Sequence, residues 1–243
     1  MAFPRWLPLV AVALLSALLA GCGGSSNNSG SPAGVTYAPT TTTTTSTTAA
    51  TTTNSNVRDA AGCLPVTEPT TNARSEKKPS TLLDPAKTYE VTIATNCGSF
   101  TFKIDQKQSP NNAASFVSLV QHGFFDKTIF HRIAVGFVIQ GGDPTASGNG
   151  GPGYTVVDTP PTDALYTHGV VAMAKTQVAA RGTGGSQFFV VTAANAGLTG
   201  GDYAIIGKVV KGLSVVDRIG KLGDPNQQPT ETVEIERATV SIS

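Results

Sequence analysis

"FHRIAVGFVIQGGD", residues 130–143, sets an arginine and a glutamine into a run that otherwise reads as β-strand and turn. Period-two alternation puts Phe130 and Arg132 on one face of their strand and Val138 and Gln140 on one face of the next. Phe137 is out of phase with Gln140, so it is expected to project from the irregular turn at 133–136 that begins the second strand. A guanidinium, an aromatic ring and a side-chain amide would then converge on one groove. The alternative is a surface arginine and a core phenylalanine with no joint task.

Outward from this stretch the pattern is mainly β. Residues 89–95 and 99–104 alternate polar and apolar around Asn96, Cys97 and Gly98, a hairpin signature. Ser109 and Pro110 stand as cap and first residue of a helix with Ala113, Phe116, Val117 and Val120 on one face and Gly123 as its stop. Further strands are expected at 128–132, 138–140, 169–174, 187–191, 204–210 and 233–241, with a short helix at 213–219. Many short strands with turn signals and no βαβ alternation argue for a closed or sandwich all-β fold with one or two helical caps.

The chain begins differently. Residues 1–21 carry Arg5, an apolar run from Leu7 to Leu19 and then small residues, the layout of an export signal. Leu19, Ala20, Gly21 and Cys22 resemble a bacterial lipobox, which implies lipidation of Cys22 and anchoring to the cell membrane with the domain on its extracytoplasmic side. Acyl chains would hold it there, since each buried methylene contributes about 0.8 kcal/mol. Residues 22–56 lack charge and are dominated by Gly, Ser, Asn and Thr. Such sequence buries too little apolar area to offset its chain entropy and is expected to be a tether with a reach on the order of 30 Å. Residues 57–85 form an irregular segment expected to pack on the domain, which occupies 86–243. With Cys22 set aside, Cys63 and Cys97 remain, and an even pair in an exported chain favours a disulfide.

Several chemistries find no support. The net charge of +1 supplies no field for nucleic acid. Gly141, Gly142, Gly148, Gly150, Gly151 and Gly153 mark a long loop, without the lysine and hydroxyl of a phosphate cradle. Gly185, Ser186 and Gln187 are followed by Phe188, which breaks a nucleophile elbow. His122, His131 and His168 lack metal-ligand spacing, and neither Cys63 nor Cys97 has a CxxC partner. His131 reads as a packed strand histidine bonded to backbone, with general-base chemistry as the rival reading. No metal and no cofactor are implied.

"FHRIAVGFVIQGGD" is similar to the signature of the cyclophilins, β-barrel peptidyl-prolyl cis-trans isomerases. "NNAASFVSLVQHGFFDKTIFHR", "GVVAMAK", "GGSQFFVV" and "YAIIGKVVKGLSVVDRI" extend the resemblance, which runs from about Tyr89 to Ser243. It implies a closed eight-stranded antiparallel barrel capped by two helices. It also implies Arg132 as the catalytic arginine, Phe137 as the floor of a proline pocket and Gln140 as a partner for substrate backbone. Val138, Phe189 and Leu198 would wall that pocket with Gln187 nearby, Ala174 and Lys175 would line the peptide's path, and Tyr203 falls where the family carries histidine or tyrosine.

The implied partners are proline-containing peptides and unfolded exported proteins, met by a monomer. Lys175 departs from an asparagine that often contacts substrate, and Gly197 stands where well-known members carry an aromatic that helps bind cyclosporin, so weak inhibition by that drug is expected. Two function classes follow: an isomerase that assists folding of exported proteins, or a proline-peptide-binding module of the same fold with incidental turnover. A structural surface lipoprotein, the third class, would make the convergence of Arg132, Phe137 and Gln140 accidental.

Overall fold

β1 (Tyr89–Thr95) and β2 (Gly98–Ile104) form the expected hairpin, with Thr95 opposite Gly98 and Asn96-Cys97 in the turn. Thr95 Oγ1 donates to Gly98 O at 2.6 Å, and Gly98 takes a φ of 118° that a side chain would resist. The structure, a computed structural model, describes residues 57–243. The export signal, the tether and Cys22 lie outside the described residues.

After the hairpin come α1 (Pro110–Gln121), β3 (Thr128–Ile129), β4 (Arg132–Ala134), β5 (Val138–Gly141), β6 (Val156–Val157), β7 (Val170–Met173), β8 (Thr183–Gly184), β9 (Phe188–Val191), β10 (Ile205–Lys211), α2 (Leu213–Ile219) and β11 (Glu234–Ile242). Nine strands form one antiparallel sheet in the order β3-β11-β1-β2-β10-β7-β9-β5-β4, and β6 pairs with β8 apart from it. The two edge strands, β3 and β4, are consecutive in the chain. Three residue steps separate Ile129 from Arg132, so about 11 Å is the most that can lie between the sheet's edges. The sheet is therefore strongly curled, yet β3 and β4 share no ladder. Among the described residues, an isolated bridge ties Ile129 to Asp143, just past the end of β5. The expected eight-stranded closed barrel is replaced by nine strands in a curled, open sheet, because the anticipated strand at 128–132 breaks at Phe130 and His131.

That break also reverses a face. Phe130 lies in the interior cluster with Phe100, Phe102, Phe116, Phe125, Phe188, Ile133 and Ile139. Arg132 is on the opposite face with Ala134, so Phe130 and Arg132 do not share a side as simple alternation would have it. Phe116 anchors α1 in the interior, stacked on Phe125 at 4.7 Å and edge-on to Phe188 at 5.3 Å between centroids, geometries that aromatic quadrupoles favour.

Pro110 begins α1, but Ser109 does not cap it with its side chain. The orphan N–H groups are taken from across the fold by the buried Asp158 carboxylate, which accepts from Asn111 N at 3.1 Å and Asn112 N at 2.7 Å. Gly123, at φ 66°, follows the helix end, where its N–H bonds Val120 O.

Residues 57–85 pack along the sheet. Cys63 and Cys97 form a disulfide, joining this segment to the β1–β2 turn. Beyond it, Leu64 N bonds Asn96 O, Asn72 N bonds Pro144 O, Arg74 Nη1 donates to Phe124 O and Asp126 O, and Glu76 N bonds Pro152 O. Two of those bonds end on the 143–153 loop, which reaches the site described next.

Candidate active site

The site is built on the outer face of β4, β5, β9 and β7. Register places Arg132 opposite Gln140, Ala134 opposite Val138, Gln140 opposite Phe189, Val138 opposite Val191 and Phe189 opposite Ala172. Because successive strand residues alternate faces, Ile133, Ile139, Phe188 and Val190 point into the interior while this second set stays together outside. Ala134, Val138, Ala172, Phe189 and Val191 make a buried apolar floor, and Phe137, Ala174, Leu198 and Tyr203 pack half-buried around it. Phe137 projects from the turn before β5, held by its N–H on Ala134 O and by Thr192 and Ala193 N–H groups on its carbonyl.

Arg132 stands at the lip of this hollow. Its guanidinium carbon is 6.0 Å from the centroid of the Phe137 ring. Nε donates to Gln227 Oε1 at 2.7 Å and Nη1 to Gln140 Oε1 at 3.1 Å. Gln140 Nε2 in turn donates to Gln187 Oε1 at 3.1 Å, and Gln187 Nε2 donates to Gly148 O and Gly150 O, both at 2.9 Å. Each amide accepts from one neighbour and gives to the next, which fixes the orientation of all three side chains. Of the five guanidinium N–H groups, two are committed and three are left for a ligand.

The glycine loop at the end of this relay is itself held from below. Buried Asp143 accepts from Thr145 N and Thr145 Oγ1 at 2.7 Å and from Gly150 N at 3.0 Å. Burial alone would push its carboxyl up, but the bonds from Thr145 and Gly150 outweigh it and hold the carboxyl below the ordinary aspartate range.

Tyr203 and Lys175 close the other side. The Tyr203 ring stands edge-on to Phe189 at 5.4 Å, and its backbone exchanges two hydrogen bonds with the Tyr166 hydroxyl. The Lys175 side chain is only 3% exposed: Nζ is 3.0 Å from Asp202 Oδ2 and 5.4 Å above the Tyr203 ring. Its cation is thus turned into the wall of the site rather than presented along the groove.

His131, behind the site, is buried, and neither ring nitrogen has a hydrogen-bond partner among the described residues. The expected backbone bond is missing, because the strand break at 130–131 turns the ring into packed surroundings. Burial disfavours its imidazolium and lowers its pKa, with Asp143 opposing that and Arg132 adding to it. Among the described residues, one grouping has metal-ligand atom types, Asp59, Cys63 and Glu231, but the Cys63 sulfur belongs to the disulfide. What remains is a pair of neighbouring carboxyls. Burial and the bond to Asp59 push Glu231 up to about 7, while that same bond lowers Asp59.

Sequence reasoning missed Gln227. It lies 95 positions from Arg132 in an exposed loop of polar and turn residues, and no local pattern marks it.

The fold and site define a class: a curled antiparallel sheet with two helices that carries an arginine beside an apolar hollow on its outer face. The family model described as "Cyclophilin type peptidyl-prolyl cis-trans isomerase/CLD" matches residues 90–240, and the chain belongs to that family. A peptidyl-prolyl cis-trans isomerase of Arabidopsis thaliana is 36% identical over 156 residues, covering 62% of this chain and 93% of the relative. One from Helicobacter pylori is 37% identical over 157 residues, covering 59% and 93%. Peptidyl-prolyl cis-trans isomerase A of Mycobacterium tuberculosis is 35% identical over 176 residues, covering 65% and 94%. Among solved structures, a Cryptosporidium parvum cyclophilin type isomerase superposes with a TM-score of 0.59 at 31% identity, covering 63% of this chain and 98% of its own. The same protein in the presence of the dipeptide Ala-Pro gives 0.58.

Proposed function

We propose that the protein is a peptidyl-prolyl cis-trans isomerase in which Arg132 stabilises the twisted prolyl amide. An amide resists rotation by roughly 18–20 kcal/mol because the nitrogen lone pair is delocalised into the carbonyl. At the perpendicular transition state that lone pair returns to nitrogen and becomes a hydrogen-bond acceptor. A guanidinium aimed at it binds the transition state better than either planar ground state, the condition for rate acceleration. Arginine remains charged throughout the physiological range and forms bonds from a planar fork. The hollow floored by Val138 and Phe189 and bordered by Phe137 and Leu198 takes the proline ring. Gln140 holds a flanking amide while the other end of the peptide turns. No proton transfer or covalent intermediate is needed.

The observation that carries the reading is the fixed guanidinium of Arg132 beside the Phe137 ring, with donors still free. The Ala-Pro dipeptide accompanying the Cryptosporidium relative supports a proline-peptide ligand here. The test is a proline-peptide isomerisation assay on the full chain against Arg132→Ala. A fall of about 10²- to 10³-fold in kcat/KM is expected for loss of one transition-state donor. Peptide binding with no Arg132-dependent rate would leave only a binding module.

The setting proposed for this activity is the extracytoplasmic face of a bacterial membrane, with Cys22 lipidated, residues 22–56 as tether and exported proteins as clients. The support is the apolar run ending in Leu19, Ala20, Gly21 and Cys22, together with the Cys63–Cys97 disulfide, which suits an oxidising compartment. Mass spectrometry of the mature N-terminus tests it, and a mature chain beginning elsewhere than an acylated Cys22 rejects it.

A further inference from the structure

We infer that Gln227 is a positioning residue for Arg132, one that sets the direction of the guanidinium from a loop outside the site's own strands. The inference rests on the isomerase reading of that site. Gln227 Oε1 accepts from Arg132 Nε at 2.7 Å, the shorter of the two bonds the guanidinium makes. Nε joins the stem to the planar fork, so fixing its N–H sets the plane of the guanidinium and leaves only the Nη groups to choose between Gln140 and a ligand.

The loop that presents Gln227 is tied down on both sides. Asp224 Oδ1 accepts from Asn226 N at 2.8 Å and Gln228 N at 2.7 Å, and Gly223 bridges to Pro229. Gln227 O accepts from Ile133 N at 2.9 Å, which fastens the loop to β4 one residue from Arg132. A side chain on Gly223 would run into Ile133 O, so the close approach of loop and strand depends on that glycine. Gln227 holds a φ of 65°, a left-handed conformation that glutamine adopts at a penalty and glycine adopts freely. Backbone strain alone would favour glycine here, and the side chain's contact with Arg132 gives the glutamine its role.

That conformation supplies a clean test, since Gln227→Gly removes the side chain and relieves the backbone. In the full chain, proline-peptide isomerisation is expected to fall at least about tenfold, the loss of one hydrogen bond to a charged group. The loss should appear in kcat with KM little changed, because the guanidinium acts on the twisted state. In an Arg132→Ala background the same substitution should change nothing further. The ¹H–¹⁵N signal of Arg132 Nε should shift and exchange faster with water. Full activity of Gln227→Gly overturns the inference, as does an undiminished loss in the Arg132→Ala background. Should Arg132→Ala itself prove fully active, the role given to Arg132 in the isomerisation falls, and an Arg132 Nε signal unmoved by Gln227→Gly then overturns the contact as well.

Discussion

Arg132→Lys separates charge from geometry. Lysine keeps the positive charge but offers its donors from a single atom, whereas the guanidinium sends Nε to Gln227 and Nη1 to Gln140 on two arms of a plane. One amide bond, or its direction, must be given up when the fork becomes a point. Bonds from a charged donor to a neutral amide are worth about 1.5–3 kcal/mol each, so losing one amounts to about 10- to 150-fold. Added to this is the freedom of a four-carbon stem no longer pinned against the Phe137 ring. The assay is steady-state isomerisation of a proline peptide at two ionic strengths, with peptide affinity measured in parallel. We expect kcat/KM to fall at least tenfold while affinity changes less than threefold. A lysine variant within threefold of the parent would refute the reasoning: a diffuse positive potential would then suffice, and the hydrogen-bonded relay through Gln140 and Gln227 would have no catalytic purpose.

Three further outcomes follow from groups around the site. The lowered pKa of His131 means that the unfolded chain takes up its proton first, near pH 6.5, so stability contributed by the neutral ring is complete above that pH and declines as pH falls below it. Thermal melts of His131→Phe should lack that decline as pH falls below about 6.5; an unchanged difference from the parent across the acid range would reject the assignment. Glu231 has the opposite sign: held up to about 7, it contributes most below its ordinary carboxyl range and loses that contribution as pH rises through 7. Glu231→Gln keeps a donor toward Asp59 and should raise Tm above pH 7.5 relative to the parent, with little difference near pH 4; no gain at high pH would show that the two carboxyls do not share a proton. Reduction of the disulfide, which closes a loop across a sequence separation of 34, should lower unfolding free energy by about 3–4 kcal/mol in denaturant titrations, with the isomerisation rate of the still-folded protein retained. Rate loss in step with reduction, before unfolding, would contradict this.

Alternation over seven residues made β1 and β2 legible, whereas β9 reads from an unbroken apolar run, FFVV, that is buried along its whole length. β6 and β8, at two residues each, carry too little pattern to announce themselves. The misreading of Phe130 and Arg132 has a specific origin. Alternation holds only within one unbroken strand, and the chain leaves one edge of the sheet at Ile129 and joins the other at Arg132. The candidate groove could still be anticipated, since Arg132, Gln140 and Phe189 face each other across adjacent strands. Two of its features were beyond local reading. Lys175 turns inward because Asp202, far along the chain, waits for it, and Gln227 reaches Arg132 only after the final loop folds back on β4.

The covalent bond at Cys63 also divides the chain mechanically. A pull applied ahead of residue 63 enters the sheet through Cys97 and is shared between β1 and β2, bypassing residues 64–85, whose bonds to Pro144 and Pro152 steady the glycine loop. Tension arriving from that end is thereby diverted from the groove, which can keep its shape while the protein is tugged.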